Sequence, residues 1–200
     1  MNHFLIPLIL AAGASSRMGR PKALLDLGGR TALDRILDTC ALAGLGPPIV
    51  VLGCGAEAVE AGADVKRATV VRNAEWERGM TSSVQAGLKG LPKFAEGVFV
   101  WPVDLPLVPA QVPREMGLRF WILRQSRREP IVIPVGARRG HPVLFDRRYI
   151  PELAALAAGE APRVVVERHA DAVDEVRAGD EVVLDLDTPE DYERAKKGLR

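Results

Sequence analysis

The residues best suited to chemistry open the chain in the stretch LILAAGASSRMGRPK, residues 8–22. An apolar run gives way to Gly13, Ala14, Ser15 and Ser16, and then to Arg17, Gly19, Arg20 and Lys22. Small residues let a backbone approach a ligand and turn its N–H groups inward, and cations close by favour an anion. These types in this order point to a phosphate-bearing nucleotide. The loop is neither of the two familiar glycine loops. Gly19 is followed by Arg20, with Lys22 displaced, so there is no Walker A motif, and only Gly13 fits a dinucleotide fingerprint.

Carboxylates supply the second half of that chemistry. Asp104 ends the hydrophobic run in VFVWPVDLPLV, where a charge is costly unless something pairs with it. Beside a phosphate loop it could hold Mg²⁺, which takes a few carboxylates and completes its shell with water and phosphate oxygens. The alternative is an Asp that caps the next turn ahead of Pro106. In LDLDTPED, residues 184–191, period-two alternation puts Asp185 and Asp187 on one face of a strand, and either could be the second metal ligand. Thr188 with Pro189 behind it fits a helix start, which leaves Asp187 free for metal. Arg138, Arg139, Gly140, His141 and Pro142 form a basic hairpin turn suited to anion or substrate contact, in which His141 could be a general base but reads better as a hydrogen-bonding group. No Ser/His/Asp or Cys/His arrangement suggests itself.

Alternating elements must position these groups. Residues 4–10, 49–52, 68–72 and 97–103 read as apolar strands, and 31–43, 56–61 and 82–91 as helices, the last with a hydroxyl residue at its N-cap. Beyond them, 130–135, 141–145, 173–176 and 182–186 read as strands, and 152–158, 163–169 and 189–197 as helices. Residues 111–129 give the weakest pattern, read as a helix. Strand–helix alternation predicts a three-layer α/β/α, Rossmann-like domain around a mostly parallel sheet, with ligands beyond the carboxyl ends of the strands. The loop at Gly13, the turn at Gly53 and Asp104 all follow strands and so share one rim.

Bulk properties restrict the class. Two hundred residues suit one domain spanning 1–200, with a nucleotide-binding half (1–110) and an acceptor-binding half carrying the second metal ligand (111–200). A net charge of +1 from 27 basic and 26 acidic residues offers no electrostatic footprint for nucleic acid or a membrane surface, so any anion site is local. Cys40 and Cys54 are too few for a disulfide framework and read as free thiols in a reducing compartment. The first apolar run is far shorter than the roughly 18 residues a bilayer requires, and no basic segment precedes it. The expected location is the cytoplasm.

The segments LAAGASSRMGRPK (10–22), RGMTSSVQAGL (78–88), PVDLPLV (102–108), RRGHPVLF (138–145) and LDLDTPEDY (184–192) together resemble the MobA-like nucleotidyltransferases. Within that family they are most similar to the molybdenum cofactor cytidylyltransferases. The resemblance implies transfer of CMP from CTP to the phosphate of molybdopterin, with Mg²⁺ and release of pyrophosphate. It places Leu10, Ala11, Ala12, Gly13, Arg17, Lys22, Gly53, Gly79 and Ser83 at the nucleotide, and assigns Lys22, Arg17 and Asp104 to catalysis. Asp104 and Asp187 would hold the metal, and Arg139, Gly140, His141 and Pro142 the acceptor. Family members that use GTP usually carry a glycine pair where this chain has Ala11, Ala12 and Gly13. A molybdoenzyme or its chaperone would be the downstream partner. The alternatives are another nucleotide such as GTP, a sugar or polyol phosphate as acceptor, or a non-catalytic nucleotide-binding chaperone.

Overall fold

The computed structural model describes residues 2–126 and 128–198. Its strands are β1 (Leu5–Ala11), β2 (Ile49–Leu52), β3 (Thr69–Arg72), β4 (Gly97–Pro102), β5 (Ile131–Val135), β6 (Val143–Asp146) and β7 (Val173–Arg177). They form one sheet in the order β3-β2-β1-β4-β6-β5-β7. Every pairing is parallel except those of β6, which runs antiparallel to both β4 and β5. The helices are α1 (Ala32–Leu42), α2 (Ala56–Gly62), α3 (Met80–Leu88), α4 (Gln111–Gln125), α5 (Ile150–Ala154), α6 (Arg163–Arg168) and α7 (Pro189–Gly198).

The central strands are continuous apolar runs because both of their faces are covered. Leu5, Ile9 and Ala11 of β1 pack with Leu33 and Ile36 of α1, Val59 of α2 and Phe120 of α4. Ile6, Leu8 and Leu10 face the other way, toward Val84 of α3, Leu153 of α5 and Val165 of α6. The period of two along the strand thus divides the core into two layers around the sheet. This is the expected three-layer α/β/α arrangement. Among the described residues no helix is long and apolar enough to cross a membrane.

Register brings the site together. β1 and β4 run side by side, with Leu10 opposite Pro102, so the loop after β1 and the turn at Asp104 leave the sheet together. Antiparallel β6 pairs Val143 with Val100, which sets His141 and Pro142 against the carboxyl end of β4. The 136–142 turn therefore shares the rim with the 12–22 loop.

Several boundaries differ from expectation. α3 begins at Met80 with Gly79, at φ 91°, as its N-cap, so Ser82 and Ser83 are buried inside the helix and no hydroxyl caps it. α5 spans Ile150–Ala154 rather than 152–158. α4 ends at Gln125, and of its expected continuation to 129, residue 127 lies outside the described residues. Residues 182–186 do not form a strand. Their hydrogen bonds go to loops: Val182 O accepts from His141 N and Leu186 N donates to Asp104 O, both at 2.9 Å. The two free thiols are Cys40, on the buried face of α1, and half-buried Cys54.

Gly87 lets α3 lie flat on the sheet. A Cβ there would strike Leu8 Cδ1 and come to 2.8 Å from Val51 Cγ2. An alanine would gain about 0.5–1 kcal/mol of helix propensity but lose about 1–3 kcal/mol to overpacking. Clash wins, so Gly87→Ala lowers the midpoint of thermal unfolding by several degrees; an unchanged midpoint would refute the close approach.

Candidate functional site

The 12–22 loop is shaped by its own hydrogen bonds. Ser15 takes a left-handed conformation at φ 52°, its carbonyl accepts from Met18 N at 2.9 Å, and its Oγ accepts from Lys22 N at 3.0 Å. The last bond ties the far end of the loop to its middle and fixes where the Lys22 side chain starts. Beneath the loop, Ala12 O accepts from Cys54 N at 3.0 Å. Gly53 stands there because a Cβ would come to 2.6 Å from both Ala12 O and Trp76 Cβ.

Four side chains from three distant parts of the sequence meet over this loop. Lys22 Nζ donates to Asp104 Oδ2 at 3.2 Å and to Asp187 Oδ1 at 2.5 Å, and Arg17 Nη1 lies 3.6 Å from Asp187 Oδ2. Burial alone would lower the Lys22 pKa, but the hydrogen bond to Asp187 and the charge of Asp104 outweigh it and raise the value above its usual range. Asp185 lies nearby. Burial and then the charge of Asp104 raise its carboxyl pKa.

Asp187 is delivered by a strap, residues 184–188, which α7 pins down. Tyr192 of α7 and Leu186 of the strap pack with Leu25, Leu27 and Ala32, and Tyr192 Oη donates to Asp26 O at 2.7 Å. A capping box starts the helix: Asp191 N donates to Thr188 Oγ1 at 3.2 Å, and Thr188 N donates to Asp191 Oδ2 at 3.0 Å. Thr188 thus does the capping, as the sequence suggests, and Asp187 is left to face Lys22.

The cleft enclosed by these groups has a volume of about 280 Å³. Its second wall is the start of α3 with the turn before it: Trp76, Gly79, Met80 and Ser83. Buried Asn73, just past β3, organises that wall. Its Nδ2 donates to Ser82 Oγ at 2.9 Å and Ser83 Oγ at 3.1 Å, and its Oδ1 accepts from Glu75 N at 3.0 Å. Ser82 Oγ has its own acceptors in Gly79 O at 2.8 Å and Glu75 O at 2.9 Å. Ser83, which accepts from Asn73, keeps a hydroxyl proton for whatever fills the cleft.

Of the residues assigned from sequence, Leu10, Ala11, Ala12, Gly13, Arg17, Lys22, Gly79, Ser83, Asp104 and Asp187 all line this cleft. Gly53 does not; it packs behind the wall. The 136–142 turn, expected from the resemblance to meet the acceptor, also lies outside the lining. Arg139 Nε bonds Glu175 Oε1 of β7 at 2.7 Å, and Gly140 packs directly against Val182 O, so neither lines the cleft. Arg138 is the arginine that reaches toward the carboxylates, with Nη2 at 3.9 Å from Asp185 Oδ2. Pro142 also lies outside the lining, and His141 is largely enclosed, close enough to Asp104 to feel its charge, with Nδ1 buried and unpartnered. Sequence reasoning missed Asn73, Trp76 and Met80, and within the basic turn it singled out Arg139 rather than Arg138. Asn73 carried one signal, a lone polar residue directly after a strand on the ligand rim.

No group of three or more His, Cys, Asp or Glu among the described residues could hold a metal unaided. The pair Asp104 and Asp187 nevertheless suits a hard divalent cation that takes its remaining ligands from water and phosphate. Both carboxylates converge on one cationic position, and that position is already cationic.

The chain was compared with known proteins. Residues 7–173 match the model of the MobA-like NTP transferase domain. The chain is 34% identical to nicotine blue oxidoreductase of Paenarthrobacter nicotinovorans, covering 94% of each. It is 29% identical to the molybdenum cofactor cytidylyltransferase of Escherichia coli K12, covering 95% of this chain and 94% of that one. It is 35% identical to a molybdenum cofactor guanylyltransferase of Cereibacter sphaeroides, covering 98% and 97%. Among solved structures, Rv0371C of Mycobacterium tuberculosis H37Rv in complex with manganese superposes with a TM-score of 0.79 at 28% identity, covering 96% and 98%.

His141 makes the site sensitive to acid. Burial lowers its pKa from 6.5, and the opposing pull of Asp104 does not restore it. The unfolded chain therefore binds a proton that the folded chain refuses as pH drops below about 6.5, and folding stability falls with it. Denaturant unfolding at pH 7.5 and 5.5 checks this: the acid loss should shrink in His141→Gln, and an equal loss in both proteins would contradict it.

Proposed function

The chain belongs to the MobA-like NTP transferase family, and we propose that it moves CMP from CTP to the phosphate of a molybdopterin-type acceptor, releasing pyrophosphate. That it is a nucleotidyltransferase follows from the family. The observation that carries the finer reading is the convergence of Lys22, Arg17, Asp104 and Asp187 over the 12–22 loop. CTP is supported by Ala11 and Ala12 where GTP users of the family usually carry a glycine pair, and by the similarity to the cytidylyltransferase.

The chemistry follows from the charges. An acceptor phosphomonoester has its second pKa near 6, so at neutral pH it is mostly a dianion and needs no general base. One of its oxygens attacks the α-phosphorus, a new P–O bond forms, and the bond to the bridging oxygen of the pyrophosphate breaks with its electron pair. No proton has to move, which agrees with a cleft lined by no histidine. Lys22 and Arg17 offset the charge that builds on the departing pyrophosphate, and the backbone from Ala12 to Ser16 wraps the phosphates. Asp104 and Asp187 would hold Mg²⁺, which would act as a Lewis acid on the phosphate oxygens. The manganese complex of the related Rv0371C supports a divalent cation here. Ser83 offers its free hydroxyl proton, and Trp76 and Met80 an apolar surface, toward the base. On the acceptor side Arg138 replaces Arg139 as the anion contact.

A second reading, oxidoreductase action, is favoured by the 34% identity to nicotine blue oxidoreductase across nearly the whole chain. The absent dinucleotide fingerprint argues against it.

Pyrophosphate release with CTP and with GTP, each with a molybdopterin acceptor, tests the proposal. CTP should be the better donor, and Asp104→Asn or Lys22→Met should each cut turnover about 10²–10³-fold. Turnover within a few-fold of the parent would remove these roles. Oxidation of a reduced nicotinamide cofactor without pyrophosphate release would favour the second reading.

A further inference from the structure

The cation between the two carboxylates belongs to the chain itself. Lys22 Nζ lies 3.2 Å from Asp104 Oδ2 and 2.5 Å from Asp187 Oδ1, so it fills the space that a divalent ion bridging those oxygens would need. Arg17, 3.6 Å from Asp187, brings a second positive charge. With Asp185 and Arg138 beside them, three carboxylates face three cations, and the free protein has no charge deficit there for a metal to fill. Mg²⁺ gives up its water reluctantly, and here it would have to displace an ammonium tethered to the same chain.

The tether can let go without unfolding anything. The backbone of Lys22 is held by Ser15 Oγ, and Ala23 beside it is buried, so the loop stays fixed while the flexible four-carbon stem swings. A triphosphate entering the loop would offer Lys22 and Arg17 an anion of higher charge than the carboxylates they now hold. We infer that Lys22 is an internal counter-ion that keeps divalent cations out of the Asp104–Asp187 pair until a triphosphate draws its ammonium away. This rests on the reading of the cleft as a triphosphate site. It makes metal entry follow nucleotide entry, or accompany it, and leaves the free enzyme insensitive to metal.

The test is binding of Mn²⁺ to the full chain, followed by loss of the free-ion electron paramagnetic resonance signal, with and without CTP. Without nucleotide, Lys22→Met should bind Mn²⁺ about tenfold or more tightly than the parent, because a like charge has left the site. The gain should vanish in Lys22→Met with Asp187→Asn. In the parent, CTP should tighten Mn²⁺ binding beyond what CTP binds in solution. Equal affinity of the parent and Lys22→Met without nucleotide would overturn the counter-ion role, as would a gain that survives Asp187→Asn. If Lys22→Met does not fold, a parent that binds Mn²⁺ tightly at this site in the absence of any nucleotide, the binding being lost in Asp187→Asn, overturns it alone. A gain in Lys22→Met with no response to CTP would uphold the counter-ion and overturn the triphosphate reading instead.

Discussion

The structure turns on the contact of one ammonium with two carboxylates. Lys22 follows the first strand, Asp104 the fourth, and Asp187 lies on the strap before the last helix. Asp104 and Asp187, brought together without a cation, would repel each other in a half-buried place where water screens them poorly. With Lys22 between them, repulsion becomes attraction, and loop, sheet rim and strap are joined at one point. An exposed ion pair contributes little to stability because water competes for both partners. This one is more sheltered, with the Lys22 side chain only 15% exposed, and Asp187 lies beside Arg17 as well.

The sheet makes that meeting possible through direction alone. Parallel β1, β2, β3 and β4 send their following loops to one edge, and antiparallel β6 returns the 136–142 turn to the same edge. Helices on both faces leave that rim as the open approach to the cleft. The charged side chains of the cleft thus lie outside the strands, which hold them in place. Asn73 extends the principle: one buried amide fixes two serines and a backbone turn, and so shapes the wall opposite the cations.

Much of this was legible beforehand. Residues 49–52 form β2 as read, because a strand buried on both faces writes itself as an unbroken apolar run. The cleft-lining loop and both carboxylates stood out because charged and small residues interrupt such runs at their ends. What escaped reading depends on contacts between distant segments. Residues 182–186 are as β-rich as a strand, yet their hydrogen-bonding partners are the His141 amide and the Asp104 carbonyl, which no local pattern reveals. Two adjacent arginines look alike in sequence, but the hairpin turns Arg139 toward Glu175 and Arg138 toward Asp185. Gly53 reads as a ligand contact because it is a glycine on the rim, whereas its lack of a side chain serves the packing of Ala12 against Trp76.

The clasp of Tyr192 on Asp26 joins the final helix to a segment made near the start of the chain. During synthesis on the ribosome, the sheet and the first wall of the cleft can assemble while Asp187 is still to be translated. A chain that stops short of the strap lacks one of the two acidic groups, and the cleft is complete only once the last turns of helix dock.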